Sequence, residues 1–396
     1  MAEMRSFSDF PKEILEVILL LLPADSLVQL KFVNKFCYSL ISPLINDPEF
    51  IAKHLFLTKN QSSASLLFRL PSPHVNHSLF TFPLLTIFYD NDKSKPFLSV
   101  TEALSLPLIQ NERYKDMDKW DQAYHCDGLI LLVNDFGTMM LCNPVLKESM
   151  LLPQPKNAIL EGSPSTMGFG LDPESNDYKC VAIWCHDNCK IQVYTLSSNS
   201  WREIIMPADS EDMMYTITYS YLFSGLCWKG VCYWLVHNPD AFEFDKVLSF
   251  NISNEEFHLI HLPVIDDLIY MRDIDNDYCE YGFHLSVWND SVVVYMKTER
   301  GSSCEYHFFP IDGAEDGAIS RTNYFRVGPL ENVRSEISFW KNDEKLIEIQ
   351  KDGHVQLVSC NIHTQKFREV VCDLEGIRFD HWACFYVKSL ISIRRR

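Results

Sequence analysis

The sequence lacks any apolar run long enough to cross a membrane as a helix. Its most apolar stretch, ILEVILLLLP (14–23), lies between Pro11 and Pro23, which leave far fewer than the about 20 apolar residues that a spanning helix needs. Acidic Glu3 and Asp9 precede the stretch, where a secretory signal would carry basic residues. We therefore expect a soluble protein of the cytoplasm, with the nucleus as an alternative location.

Positive charge is also scarce. Lys and Arg number 35 against 53 Asp and Glu, so the net charge is −18. A chain this acidic repels phosphate backbones and anionic surfaces, so neither a nucleic acid nor a membrane is expected as a partner. The charge favours a basic protein partner, and the alternative is that it serves solubility alone. We interpret the basic ending at 394–396 as a solvated tail rather than an import signal.

The sequence has little that could form a metal site. CVAIWCHDNC (180–189) brings together Cys180, Cys185, His186 and Cys189, but no second pair with companion spacing exists. Cys180 and Cys185 differ by an odd number, so on a strand they point to opposite faces. The 13 cysteines, without a secretory signal, are expected to be reduced and mostly buried.

Motifs for catalysis are absent as well. GFGLD (168–172) has no third glycine and no following helix, so it does not predict a nucleotide loop. Its glycines more simply relieve crowding in a central strand. Gly-x-Ser-x-Gly and HxxxH patterns do not occur. We therefore predict no catalytic residue, cofactor or metal, with a propeller hydrolase as the remaining enzymatic alternative.

The first 56 residues predict three or four short helices. Residues 10–22 place an apolar stripe on one helix, with Pro11 in its first turn and Pro23 after its end. Asp25 or Ser26 should cap the second helix. A third helix should cover 35–41. The apolar positions of the first two helices are Ile14, Leu15, Ile18, Leu19, Leu22, Leu27, Leu30 and Val33.

A fourth helix should open at Asp47 with Pro48 as its first residue. Its buried positions should be Phe50, Ile51 and Leu55, with Phe56 as a further candidate. A unit of this size cannot bury so broad an apolar face by itself. The excess indicates a partner surface, and the alternative is an ordinary helical cap on the next domain.

FPKEILEVILLLLPADSLVQLKFVNKFCYSLI (10–41) resembles an F-box. The resemblance implies binding to a Skp-type adaptor and, through it, to the cullin of a ubiquitin ligase. One position departs from the family pattern, because Cys37 stands where the family usually has Trp, and an aromatic anchor is lost. The adaptor-binding residues that the resemblance and the apolar stripe predict are Pro11, Ile14, Leu15, Ile18, Leu22, Pro23, Leu27, Leu30 and Val33.

The remaining chain repeats a strand pattern about every 50 residues. Short apolar runs alternate with turn pairs, which is typical of an all-β domain. Four strands per unit predict a kelch-like β-propeller of six blades, with a β-sandwich as the rival. Bulky residues that open one strand of each unit are Phe97, Met150, Trp201, Phe257, Phe325 and Phe367. Hairpin turns are predicted at 127–128, 176–177, 229–230, 289–290, 342–343 and 387–388.

Both chain ends should share one blade, because the last predicted hairpin (383–393) lacks outer strands and the segment 79–90 lacks inner ones. The predicted organisation is a tail (1–9), an F-box (10–56), a connector with one short strand (57–78), a propeller (79–393) and a second tail (394–396).

Motifs within the repeats resemble the F-box-associated domain of plant F-box proteins, including CDGLILL (126–132) and GFGLDPESNDYKCVAI (168–183). VGPLENVRSEISFWKNDEKLIE (327–348) is similar to the pollen S-locus F-box group. That resemblance implies a non-catalytic ligase receptor for non-self pistil ribonucleases in self-incompatibility. Two alternatives are a receptor for an unrelated plant substrate and a propeller scaffold that no longer engages a ligase.

Two acidic, tyrosine-rich segments should emerge on one face of the propeller, since both connect an outer strand to the next blade. Carboxylates there would steer a basic ribonuclease, and tyrosines would supply contact area. The alternative is a solvated loop rim. The predicted substrate-binding residues are Asp209, Glu211, Asp212, Tyr215, Asp273, Asp275, Asp277, Tyr278 and Glu280.

Overall fold

The computed structural model describes residues 10–61, 63–68, 81–90, 92, 95–106, 120–134, 136–156, 162–185, 189–205, 221–238, 243–262, 283–300, 302–311, 325–371 and 383–394. A helical unit precedes a β domain, as predicted. None of the helices in these residues is long and apolar enough to cross a membrane. The four helices are α1 (Lys12–Leu20), α2 (Ala24–Leu30), α3 (Lys35–Leu44) and α4 (Pro48–Lys59).

Two helix starts follow directly from capping side chains. Asn34 accepts a hydrogen bond from the Cys37 amide (2.8 Å) before α3, and Asp47 accepts one from the Glu49 amide before α4. The Asp47–Pro48 start is therefore confirmed. The predicted cap of α2 is wrong, because Pro23 occupies that position and Asp25 lies in the first turn.

The helical unit has a small core of its own that extends into the β domain. Leu19, Leu27 and Ile41 are almost fully buried there. Val145 and Leu390 of the β domain belong to the same cluster. The helices are thus packed onto the β domain rather than tethered to it. Phe50 is buried as predicted, whereas Phe56 is 66% exposed, so its predicted burial is wrong.

The described β strands form six units of four strands, which we number as blades one to six. Blades one to five follow the chain, and within each the strands pair in sequence order. The first strands of successive blades pack side by side, which places them at the centre. Blade one consists of β4 (Trp120–Cys126), β5 (Leu129–Asn134), β6 (Met139–Asn143) and β7 (Glu148–Leu151). Blade two consists of β8 (Thr166–Asp172), β9 (Asp177–Trp184), β10 (Lys190–Thr195) and β11 (Ser200–Ile204). Blade three consists of β12 (Tyr221–Trp228), β13 (Val231–Asn238), β14 (Glu243–Asn251) and β15 (Phe257–His261).

Blades four to six complete the ring. Blade four consists of β16 (Phe283–Trp288), β17 (Ser291–Arg300), β18 (Ser303–Pro310) and β19 (Phe325–Glu331). Blade five consists of β20 (Val333–Lys341), β21 (Glu344–Lys351), β22 (His354–Asn361) and β23 (Lys366–Val371). Blade six consists of β24 (Ala383–Phe385), β1 (Ser63–Phe68), β2 (Thr81–Phe88) and β3 (Phe97–Ser105). A short parallel pairing of β23 with β3 joins the sheets of blades five and six.

Blade six unites both parts of the chain, as predicted, but with different strands. Its central strand β24 pairs with β1, with Leu67 opposite Cys384. The predicted hairpin 383–393 is wrong, because only 383–385 form a strand, and the predicted connector 57–78 contributes β1. The segment after Phe385 instead packs on blade one, where the Asn143 side-chain amide donates to the Ser389 and Ile391 carbonyls.

The repeat markers predicted from the sequence fall at equivalent places. All six bulky residues lie on the outermost strand of their blades, five of them at its first or second position and Met150 at the third position of β7. Positive φ angles occur at Asp127–Gly128, Lys229–Gly230 and Asn289–Asp290, which confirms these three tight turns, and Asn176 has a positive φ before β9. Residues 342–343 also join two paired strands, without a positive φ, whereas 387–388 form no hairpin.

Blades approach each other closely where the sequence supplies glycine. A Cβ at Gly168 would lie 2.5 Å from Cys232 Sγ of the next blade, so the predicted relief of crowding is confirmed. Cys180 packs towards blade one and Cys185 towards blade three, on opposite faces of their sheet as expected.

The prediction that the cysteines are reduced is wrong for one pair. Cys227 and Cys232 form a disulfide. They lie directly opposite each other on β12 and β13, a register that the sequence does not reveal. The other described cysteines are free thiols.

Candidate functional site: two opposite surfaces

The helical unit exposes a broad apolar surface. Val17, Leu21, Phe32 and Val33 are between 58% and 72% exposed. Large apolar side chains of this number are normally covered in a soluble protein. The further exposed members of this helical surface are Phe10, Ile14, Ile18, Phe36, Tyr38, Phe56 and Leu57.

The nine predicted adaptor-binding residues divide by burial. Leu15 (2% exposed) and Leu27 (0%) belong to the core of the unit, so they support the helical surface and are not part of it. Leu22 and Leu30 are half-buried. The exposed residues are Pro11, Ile14, Ile18, Pro23 and Val33. Sequence periodicity missed Val17, Leu21 and Phe32, because Val17 lies off the predicted stripe of α1 and the other two residues follow the ends of α1 and α2.

Cys37, which replaces the family's usual Trp, is 4% exposed and lies in the helical core. In this chain the position is therefore not a surface anchor. The expected loss of an aromatic contact does not follow from the replacement, because the side chain at position 37 faces Ile41 and its neighbours in the core.

Charged contacts hold the helical unit on the propeller. Lys59 Nζ lies 2.5 Å from Asp127 Oδ1 in the first turn of blade one. Lys388 Nζ lies 2.8 Å from Asp25 Oδ2 and 2.6 Å from Glu102 Oε1. Burial lowers the pKa of Lys388, but the hydrogen bonds to both carboxylates outweigh it, so the net pKa is raised.

The strand order defines two faces of the propeller. The helix face carries the turns between first and second and between third and fourth strands, and it includes Asp127 and Val145, which contact the helical unit. The loop face carries the connections from each fourth strand to the next blade. Because strands alternate in direction within a blade, these two faces are opposite.

All nine predicted substrate-binding residues lie outside the described residues, within 206–220 and 263–282. The strands that bound these segments are described. β11 and β15 end, and β12 and β16 begin, at the loop face. The expectation that both segments leave from one face therefore agrees with the strand order, and the residues' role stays a prediction.

A buried charged pair lies between blades four and five and was not predicted. Lys345 Nζ is 2.9 Å from Glu336 Oε2 and 3.8 Å from the centre of the Tyr295 ring. Burial would raise the pKa of Glu336, but the nearby Lys345 ammonium lowers it. Burial raises the pKa of Tyr295 and Tyr306 well above the usual range. The pair lies where these blades pack together, and no group that could hold a metal ion occurs in the described part of the chain.

Two family models match the chain. Residues 76–393 match the F-box associated beta propeller domain, and residues 7–47 match the F-box domain. The chain belongs to the family of proteins with an F-box associated β-propeller domain. The predicted fold class, a small all-α F-box followed by a propeller, is confirmed.

Curated relatives come from Arabidopsis thaliana. One sequence designated an F-box protein, At1g47790, is 28% identical over 260 residues, which are 65% of this chain and 60% of that protein. The F-box protein CPR1 is 26% identical over 273 residues, 64% of this chain and 60% of that protein. The chain thus spans about 60% of the length of these relatives. These matches support the assignment of the chain to the plant F-box proteins.

Solved structures give only distant likenesses. A chain of a nidogen/laminin complex has a TM-score of 0.42 at 9% identity and covers 83% of this chain and 99% of its own length. YCF48 from Cyanidioschyzon merolae has a TM-score of 0.39 at 8% identity, covering 81% and 88%. The propeller assignment stands on the strand pairing and the family match.

Proposed function

We propose that this protein is the substrate-recognition subunit of a Skp–cullin–F-box ubiquitin ligase in the cytoplasm and has no catalytic activity of its own. The observation that carries the proposal is the apolar helical surface, which the propeller leaves uncovered. An F-box offers such a surface to a Skp-type adaptor, which connects it to a cullin.

The arrangement of the two faces supports a mechanism of proximity. The helical unit is fixed on the helix face by a shared core and ion pairs. The long connections leave from the opposite face. A target protein held there stays at high effective concentration near the conjugating enzyme, and no bond is broken by the receptor.

Adaptor binding is tested with surface variants of the full chain. Ile14→Asp and Val33→Asp place a charge in the helical surface without entering the core, so each should weaken binding of a purified Skp-type adaptor by tenfold or more, about 1.4 kcal/mol. Val100→Asp is the matched control, because Val100 is 56% exposed on blade six, close to the 48% and 66% of Ile14 and Val33. Failure of the unsubstituted chain to bind the adaptor would favour a ligase-independent scaffold, and unchanged affinity in both helical variants would mean that the helical surface is not the adaptor site.

For the target, we propose a basic protein and specifically the non-self pistil S-ribonucleases. The resemblance of 327–348 to the S-locus F-box group and the acidic composition of 206–220 and 263–282 support this choice. Such carboxylates accelerate the association of a basic protein, mainly at low salt.

The target proposal is tested by association kinetics with a panel of S-ribonucleases. Changing Asp273, Asp275 and Asp277 to Lys should slow association at low salt, and the effect should shrink in high salt. Glu174→Lys, an exposed site on the helix face, makes the same change of two charges as each single Asp→Lys substitution and is the control for those single variants. If no ribonuclease of the panel binds while the adaptor does, the receptor serves an unrelated plant target.

A further inference from the structure

One connection on the loop face differs from the other five. A single residue, Asn332, joins β19 to β20, whereas the remaining links between consecutive blades run from 11 residues (372–382) upwards. Asn332 has a φ of 58°. Its amide donates to the Ser302 carbonyl (2.9 Å), and its carbonyl accepts from the Gln350 amide (2.8 Å). The two backbone hydrogen bonds therefore fix the link between blades four and five. This link is too short to form a loop over the junction.

A depression of about 170 Å³ lies at this junction. Its lining combines hydroxyl and amide groups with one guanidinium group and contains no carboxylate. Small-molecule sites usually measure about 300–1,000 Å³, so this space suits one side chain rather than a whole ligand. The lining residues are Ser302, Ser303, Cys304, Asn332, Val333, Arg334 and Gln350.

Arg334 differs from the other arginines whose side chains are described. Arg202, Arg326 and Arg394 form ion pairs with glutamates. Arg368 donates to three backbone carbonyls and stacks on an aromatic ring. Among these five, only Arg334 has neither an ion pair nor a hydrogen bond to the described residues, although the chain carries a net charge of −18.

Glu331, the acidic residue that precedes Asn332, forms no ion pair with Arg334 and has another partner. Glu331, the last residue of β19, accepts a hydrogen bond from Ser302 Oγ at 3.1 Å. A guanidinium group presents a planar fork of donors that matches the two oxygens of a carboxylate or two oxygens of a phosphate. The side-chain amides of Asn332 and Gln350 in the lining can donate further hydrogen bonds to such a group.

We infer that this depression is a subsite of the target-binding face and takes one acidic side chain of the bound protein, with Arg334 contacting its oxyanion. The inference rests on the proposed receptor function and refines it. A basic target attracted by the acidic segments would be oriented by a single acidic residue, either a carboxylate or a phosphorylated side chain, entering between blades four and five.

The probe is a set of synthetic peptide libraries with a fixed central Asp, phosphoserine, Lys or Ala, presented to the purified full chain. An acidic centre should be retained about fivefold over Ala, the upper range for a solvent-accessible ion pair. Arg334→Ala should abolish this preference, and Arg334→Lys should keep part of it. Lys366→Ala, an exposed cation on the helix face of blade five, should leave it unchanged. Comparing the Asp library with the phosphoserine library shows whether the subsite prefers a carboxylate or a phosphate group.

Two results would overturn the subsite. One is equal retention of all four libraries by the unsubstituted chain. The other is an acidic preference that survives Arg334→Ala. Because Arg334 is exposed, its variants should keep the native thermal midpoint, which separates loss of the subsite from loss of the fold. Neither result affects adaptor binding, which the Ile14 and Val33 variants test separately.

Discussion

Lys388 and Asp25, which are 363 positions apart in the sequence, meet with Nζ 2.8 Å from Oδ2. The contact joins the segment after the last strand to the second helix. Together with Lys59 and Asp127, it fixes the F-box to the first blade. The helical unit and the propeller therefore pack as one body, and substitutions at this joint should change the stability of the helices.

Removing the charge of Lys388 should loosen α2. In Lys388→Met, Asp25 loses its partner, at a cost of about 1 kcal/mol for a partly exposed pair. Hydrogen exchange of the α2 amides should then be about fivefold faster. Lys366→Met removes an exposed lysine elsewhere and should have no effect on α2. Equal exchange in all three proteins would show that the shared apolar core alone holds the joint.

Acidification should destabilise the helical unit through His54. Its Nε2 donates to the Leu22 carbonyl at 2.8 Å, and burial lowers its pKa more than that bond raises it. The neutral form is favoured in the folded state, so its stabilisation is present above the unfolded pKa of about 6.5 and is lost as the pH falls below it.

Hydrogen exchange in α1 and α4 at pH 7.5 and 5.5 measures this effect. After correction for intrinsic exchange rates, the α1 and α4 amides of the wild type should exchange faster at pH 5.5 than at pH 7.5. The increase in exchange rate should be no more than about tenfold per pH unit. His54→Gln keeps a donor without titrating and should show no such difference. If the wild type and His54→Gln show the same pH response, titratable groups other than His54 cause it.

Restoring the family's usual aromatic residue should harm this chain. Cys37 is 4% exposed in the helical core, so Cys37→Trp overpacks that core at a cost of about 1–3 kcal/mol. The variant should unfold at a lower temperature than the wild type, and its affinity for the adaptor should not rise. Cys37→Ala serves as the control without added volume. Tighter adaptor binding at unchanged stability would mean that the Trp reaches the surface.

Asp172 should be a major stabilising residue of blades two and three. Burial alone would raise its pKa, but hydrogen bonds from Lys179, Ser175 and Ser253 lower it below its usual range. Such a carboxylate contributes stability above an unfolded pKa of about 4, and that stability is lost as the pH falls towards the lower folded value.

Asp172→Asn should therefore cost about 3 kcal/mol or more at pH 7, since Lys179 is left without its closest partner. Denaturant unfolding followed by tryptophan fluorescence should show a smaller gap between wild type and variant at pH 3 than at pH 7. Glu174→Gln, which alters an exposed acid nearby, is the control. A gap that does not depend on pH would contradict the ionic contribution.

The repeat could be predicted from the sequence because its signals are local. Trp201 and Phe257 open outer strands just after residues with positive φ, Asn199 and Glu255. The strand β1 could not be assigned in the same way. Its place depends on Leu67 facing Cys384, a pairing between distant parts of the chain that no local pattern encodes.

The candidate sites were predicted only in part for a related reason. Leu15 and Ile14 are neighbours on one apolar helix, yet one is buried and the other is 48% exposed. Which of them is covered depends on where the other helices and Val145 pack. The Arg334 subsite has no sequence signal at all, since it depends on residues from three turns meeting at one junction.

Ring closure by β24 has a consequence for how the protein is made. The helices and β1–β3 are synthesised before Ala383–Phe385, so β1–β3 must wait for the strand that closes the ring. A premature stop after Val371 would leave the toroid open, and it would also remove Lys388 and Leu390 from their contacts with the helices. Such a fragment should therefore lose stability in both the propeller and the helical unit.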